Sequence, residues 1–180
     1  MLPGSPENPF AAAASELGLE YGAPQERAAV RGALDLGRTM FWQQHIGGNL
    51  GSIGVRVTAS GSRRYVTVFY GIRFAPLGFR LRLTRRRWWQ YLFPPTVPTG
   101  SRSFDGAVRA TSSDPERLAR LLDPEARDTI VQLFELLPSA RIVDGRIDGK
   151  DNSSVFRAPA AADIAATIRR MAEVADALAG

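Results

Sequence analysis

In three stretches between Ile53 and Leu83 apolar side chains recur at every second position, and this alternation limits what the chain can become. Val66, Val68, Tyr70, Ile72 and Phe74 share one face of an extended segment. Ile53, Val55 and Val57 alternate with Gly54, Arg56 and Thr58, and Phe79, Leu81 and Leu83 alternate with Arg80 and Arg82. A period of two is that of a strand with one face buried and one face wet. Upstream, Val30, Leu34 and Leu36 alternate with Arg31 and Asp35, and Gly37 marks a turn into Met40–Ile46. Ser60-Gly61-Ser62 marks a further turn, and Gly47-Gly-Asn-Leu-Gly51 predicts a loop. Residues 27–84 therefore predict an antiparallel meander of five strands.

Helical spacing frames this region. Asn8 can cap a short helix with Pro9 at its first position, and Phe10, Ala13, Ala14 and Leu17 fall on one face. Gly18 can close it in a left-handed conformation, with Leu19 folding back. Past Phe104, Phe104 and Val108 predict a short strand ending near Ala110. Ser113-Asp-Pro-Glu116 reads as a capping box overlapping an Asp-Pro helix start, and Asp123-Pro-Glu125 starts another helix. Asp144-Gly145 between Ala140-Arg-Ile-Val143 and Arg146-Ile-Asp148 is a hairpin signal. From about Ala160, Ile164, Ile168, Met171, Ala175 and Leu178 form a long amphipathic helix. The prediction is an α+β fold: an antiparallel sheet of six to seven strands, helices on one side, and a C-terminal helix closing the core. Residues 1–8 read as a flexible tail and residues 9–180 as one domain.

Several residues carry a resemblance. Thr99-Gly100-Ser101-Arg102-Ser103-Phe104-Asp105, then Asp114-Pro115-Glu116, then Leu121-Leu122-Asp123-Pro124-Glu125 come in order, followed by Asp144-Gly145 and the closing helix. Val30-Arg-Gly32 and Phe74-Ala-Pro-Leu-Gly-Phe79 precede them. In this layout the chain resembles a bacterial domain-of-unknown-function family whose soluble α+β domain is often joined to membrane helices. Ser101 stands where that pattern has Asp. The resemblance implies an α+β fold and a place at the membrane periphery, and it assigns no site.

Charge is segmental. Residues 36–104 carry eleven Arg and no acid, whereas residues 1–35 and 105–180 each balance to −3. An uncompensated basic segment meets an outside anion or docks on the chain's own acids. Charge balance favours the second outcome, with the acidic helices of 105–180 lying against a basic stripe of Arg56, Arg73, Arg80 and Arg82. Arg85-Arg-Arg-Trp-Trp-Gln-Tyr-Leu-Phe93 is the sharpest local feature. Arg85, Arg86 and Arg87 could pair with phosphates while Trp88, Trp89 and Tyr91 enter a membrane interface or stack on bases. The favoured reading of the run is structural: a sheet-edge strand or short helix whose aromatics fill the core and whose arginines are merely solvated.

No reaction is written into the chain. Without cysteine, disulfides, thiolate metal sites and Cys nucleophiles are excluded. His45 is the single histidine, with Asp35 the one acid close to it in sequence, which is too little for a metal site and thin for general-base chemistry. The glycine stretch at 47–51 fits no phosphate-loop spacing. No apolar run approaches a membrane span and no secretory signal opens the chain, so the expected location is the cytoplasm or the membrane periphery. The expectation is a non-enzymatic binding or scaffolding module without cofactor or metal. Its basic face would engage an anionic membrane surface or a membrane-bound protein. The alternatives are nucleic-acid binding through the arginine-rich sheet face, and an enzyme with a site near His45. A strand edge or the last helix could also pair two copies.

Overall fold

A computed structural model of the protein describes residues 8–27, 41–61, 66–87, 97–151 and 159–179. The polypeptide forms an α+β layer structure in which eight antiparallel strands make one sheet. Strands β1 (Glu20–Arg27), β2 (Phe41–Leu50), β3 (Ile53–Gly61) and β4 (Val66–Arg73) follow one another as a meander. Strand β5 (Leu81–Arg85) does not join them. The hairpin of β7 (Arg141–Val143) and β8 (Arg146–Asp151) is inserted between β4 and β5, and β6 (Val108–Ser112) closes the far edge. Among the described residues the sheet thus has eight strands rather than six or seven, and β5 pairs with β6 and β7 instead of extending the meander past β4. Alternation gives strand faces but not strand order, which is why the insertion was not foreseen. The alternating positions Val30–Leu36 lie outside the described residues.

The hairpin turn explains how the insertion holds. Asp144 and Gly145 both have positive φ, 45° and 82°, as the primed two-residue turn favoured by Asp-Gly requires. Residues 74–80 pass around it: Phe74 N–H donates to Gly145 O (2.9 Å), Asp144 N–H to Leu81 O (3.1 Å), and Leu81 N–H to the Asp144 carboxylate (2.8 Å). A Cβ at Gly145 would stand 3.2 Å from the carbonyl oxygens of Phe74 and Ala75. Glycine is needed there both for its conformation and for its lack of a side chain.

Three local expectations are revised. The Gly47–Gly51 stretch is not a loop: β2 runs through Leu50 and the turn is Gly51-Ser52, with Gly51 at φ 60°. Phe104 belongs to helix α2 (Arg102–Ala107), capped by Ser101 Oγ, and the strand begins only at Val108. The cap of α3 (Pro115–Leu121) is Asp114, not Ser113, its carboxylate accepting from Arg117 N–H at 2.9 Å. The other helix signals hold. Asn8 caps α1 (Pro9–Leu17) and Gly18 ends it at φ 66°, while Asp123 caps α4 (Pro124–Leu136). Asn8 itself is buried, its amide shared by Tyr21 and Gln44.

The core lies between one face of the sheet and the helices. Val55, Val57, Val68, Ile72, Leu81, Leu83, Val108, Ile142 and Ile147 point into it, and α5 (Ala161–Ala179) covers them with Ile164, Ile168, Met171, Val174 and Leu178. Helix α5 touches β3, β4 and β8 and is flanked by α1 and α4. All of this lies on the apolar side. The acidic helices therefore do not cover the arginine-bearing face, contrary to the expectation from charge balance. Burying apolar area, worth about 25 cal/mol per Å2, outweighs ion pairs that remain wet and contribute about 0–1 kcal/mol each.

Two measurements probe this core. Ile147 is fully buried in the inserted strand; Ile147→Ala should cost about 2–5 kcal/mol in urea denaturation. Tyr70 is buried, and burial first, then the nearby carboxylates of Asp151 and Asp163, push its phenol above the usual value of 10.0, while a hydrogen bond with Thr167 acts the other way. The fold favours the neutral phenol, so its contribution is complete below the unfolded value and is lost as pH rises toward the folded one. The urea midpoint should fall between pH 9 and pH 11, and Tyr70→Phe should flatten that fall. Tyr21, whose phenol burial also raises, should leave a residual slope.

Candidate functional site

Because the described helices occupy only one side, no described helix covers the opposite face of the sheet, and the composition of that face follows from the strand register. Residues facing out from β3 and β4 are Gly54, Arg56, Thr58, Phe69, Gly71 and Arg73. The inserted hairpin adds Arg141, Arg146, Asp148 and Lys150, and β5 and β6 add Arg82 and Arg109. Cross-strand pairing sets these in rows. Arg56, Gly71, Asp148 and Arg141 form one row; Gly54, Arg73, Arg146, Val143 and Arg82 form the next. Thr58, Phe69 and Lys150 form a third beside them. At about 4.8 Å between strands, the cations from β3 to β6 span about 24 Å.

Among the described side chains this face holds seven cations and two carboxylates, Asp148 and Glu20. Asp148 bridges two of the arginines, reaching Arg146 Nε at 2.7 Å and Arg141 Nη2 at 3.7 Å. Among the described residues Arg56, Arg73 and Arg82 carry no ion pair. Arg73 and Arg146 stand directly opposite each other on neighbouring strands. Like charges in that position oppose folding, by roughly 0.2–1 kcal/mol. The two arginines are kept together at a cost.

A hollow of about 680 Å3 opens in the middle of this face. Arg56, Arg73, Arg141 and Arg146 stand around it together with the Asp148 carboxylate, Gly54 and Gly71 lie on its floor, and Phe69 is at its side. Phe69 is 46% exposed on a central strand, where alternation alone dictates that it point away from the core.

The sequence-predicted residues are distributed differently. Arg82 lies in the row of Arg73 and Arg146. Arg80 is exposed just before β5, its backbone N–H held by Ser113 Oγ at 3.0 Å. Arg85 is exposed at the end of β5, opposite Val108. Arg86 is half-buried and donates from Nη1 to Asp105 O at 2.7 Å, tying β5 to α2. Arg87 is exposed, and Trp88, Trp89 and Tyr91 lie outside the described residues. His45 is exposed on β2, opposite Gly22, where any side chain would collide with the imidazole. Among the described residues no carboxylate is hydrogen-bonded to it, and no group of three or more His, Cys, Asp or Glu could hold a metal. Asp35 lies outside the described residues.

Arg141, Arg146, Asp148, Lys150 and Phe69 were missed by sequence reasoning. The signal was present in Arg141-Ile142 and Arg146-Ile147-Asp148-Gly149-Lys150. Once the Asp-Gly turn fixes the hairpin, inward Ile142 and Ile147 force the charged residues outward.

The cost of the Arg73–Arg146 pairing is measurable: Arg73→Thr should raise stability by about 0.2–1 kcal/mol in urea denaturation. A loss of stability would show that Arg73 supports the fold instead. No family model matches the chain, and none of the curated proteins or solved structures it was compared with matches it either.

Proposed function

We propose that the protein is a non-enzymatic binding module that engages a polyanion through the helix-free face of its sheet. The observation that carries this reading is the cation-rich face itself, left uncovered by the described helices because they serve the apolar side. Guanidinium groups present forked donors matched to phosphate and carboxylate oxygens. Arg56, Arg73 and Arg82, without ion pairs among the described residues, have donors to offer. The nearest candidate for general-base chemistry, His45, lacks a carboxylate to orient it among the described residues, which leaves binding as the better-supported role. An anionic membrane surface, favoured by the family resemblance, and a nucleic acid both fall within this class. No helix among the described residues is long and apolar enough to cross a membrane.

Heparin, a generic polyanion, tests the class. The protein should be retained on a heparin column at 50 mM salt and elute as salt screens the contact. The triple variant Arg56→Ala, Arg73→Ala, Arg146→Ala should flow through. The double variant Arg169→Ala, Arg170→Ala, altered on the helix side, should elute with the parent. Equal retention of the two variants would remove the sheet face from consideration.

A further inference from the structure

The two glycines on the floor of the hollow have no explanation in the fold. Gly54 and Gly71 lie inside β3 and β4, where glycine weakens a strand. Neither has the positive φ that would demand glycine. A Cβ at Gly71 would meet Arg56 O at 3.5 Å and Asp148 Oδ1 at 3.6 Å, and one at Gly54 would come no closer than 3.7 Å to any neighbour. These are ordinary contacts, so alanine fits at both positions. Contrast Gly149 on the opposite face of β8, where a Cβ would collide with Leu137. What the outward glycines provide is depth: they keep open a space within arginine reach, as expected where a ligand approaches the backbone.

The depth, the charge and the exposed aromatic together select a class of polyanion. A planar lipid surface meets the rim of a concave site and not its floor, and gains nothing from the two glycines. A duplex keeps its bases stacked inside and offers no free face to Phe69. An unpaired strand offers both flexible phosphates and exposed base faces, and stacking on an aromatic within a basic groove is how such strands are held. We infer that the glycine-floored hollow receives a single-stranded nucleic acid, with phosphates on Arg56, Arg73 and Arg146 and a base stacked on Phe69. This rests on the polyanion reading above and narrows it.

The test is fluorescence polarisation of a labelled 12-nucleotide oligo(U) at 50 mM salt, beside a 12-base-pair duplex and sedimentation with vesicles containing phosphatidylserine. Oligo(U) should bind at least tenfold more tightly than the duplex. With three phosphates engaged, log affinity should fall with log salt at a slope of about −2. Phe69→Ala should weaken binding about 5- to 150-fold, the range for one stacked base. Gly71→Val should leave the melting temperature equal or higher yet weaken binding at least tenfold by filling the floor. Phe69→Ala alters an exposed side chain, so it reports even if Gly71→Val does not fold. Retention on heparin or vesicles without preference for oligo(U), or unchanged oligo(U) binding in Phe69→Ala, would overturn the single-strand inference while leaving the polyanion reading intact. Failure to bind heparin, vesicles or oligo(U) would overturn both.

Discussion

The clasp around Asp144-Gly145 is the contact on which the rest of the architecture depends. A primed turn from the C-terminal half is gripped on both sides by the chain between β4 and β5. That grip lets a short hairpin fill the gap in the sheet, pairing with β4 along Val68–Arg73 and with β5 along Arg82–Thr84. Without it, the four-stranded meander and the β5–β6 pair would be separate fragments with no shared core beneath α5. The contacts involved are few, but each bridges more than sixty residues of sequence. They are the kind that close late and make a fold cooperative.

The same insertion decides the electrostatics of the open face. Arg141, Arg146 and Asp148 reach the middle of the sheet only because β7 and β8 lie there. Charge counted along the chain assigns those arginines to an acidic segment, whereas counted across the strands they belong to a basic surface assembled from both halves. Segmental bookkeeping failed for this reason. It also failed on direction, since it matched basic residues to acidic helices while the helices followed the apolar stripe. The hydrophobic term acts over the whole sheet, and surface ion pairs are too weak to redirect it.

Features set by a few neighbouring residues were legible in the sequence. The Asn8-Pro9 start, the Gly18 stop, the Asp-Pro helix starts, the Asp-Gly turn and the inward set Val66–Phe74 are all where local rules put them. Strand order was not legible, because nothing local tells β4 that its next partner is 75 residues away rather than ten (Ile72 pairs with Ile147). The hollow was likewise hidden: Gly54 read as an ordinary alternating position and nothing marked Gly71 until register set Arg73 beside Arg146. The Arg85–Phe93 run drew notice by its composition, but the described part of it is partly used internally, with Arg86 tied to Asp105.

An open face built jointly from distant segments has a consequence for how occupancy and folding communicate. Arg56 and Arg73 come from one half of the chain and Arg146 from the other, so the three converge only when the interleaved sheet is complete. Any molecule spanning them would draw its affinity from the finished structure and contribute nothing to a partly zipped one. Bound at free concentration L, it would add RT ln(1 + L/Kd) to the resistance to global unfolding. The surface would act as a staple across the seam that the Asp144-Gly145 turn holds shut from its end.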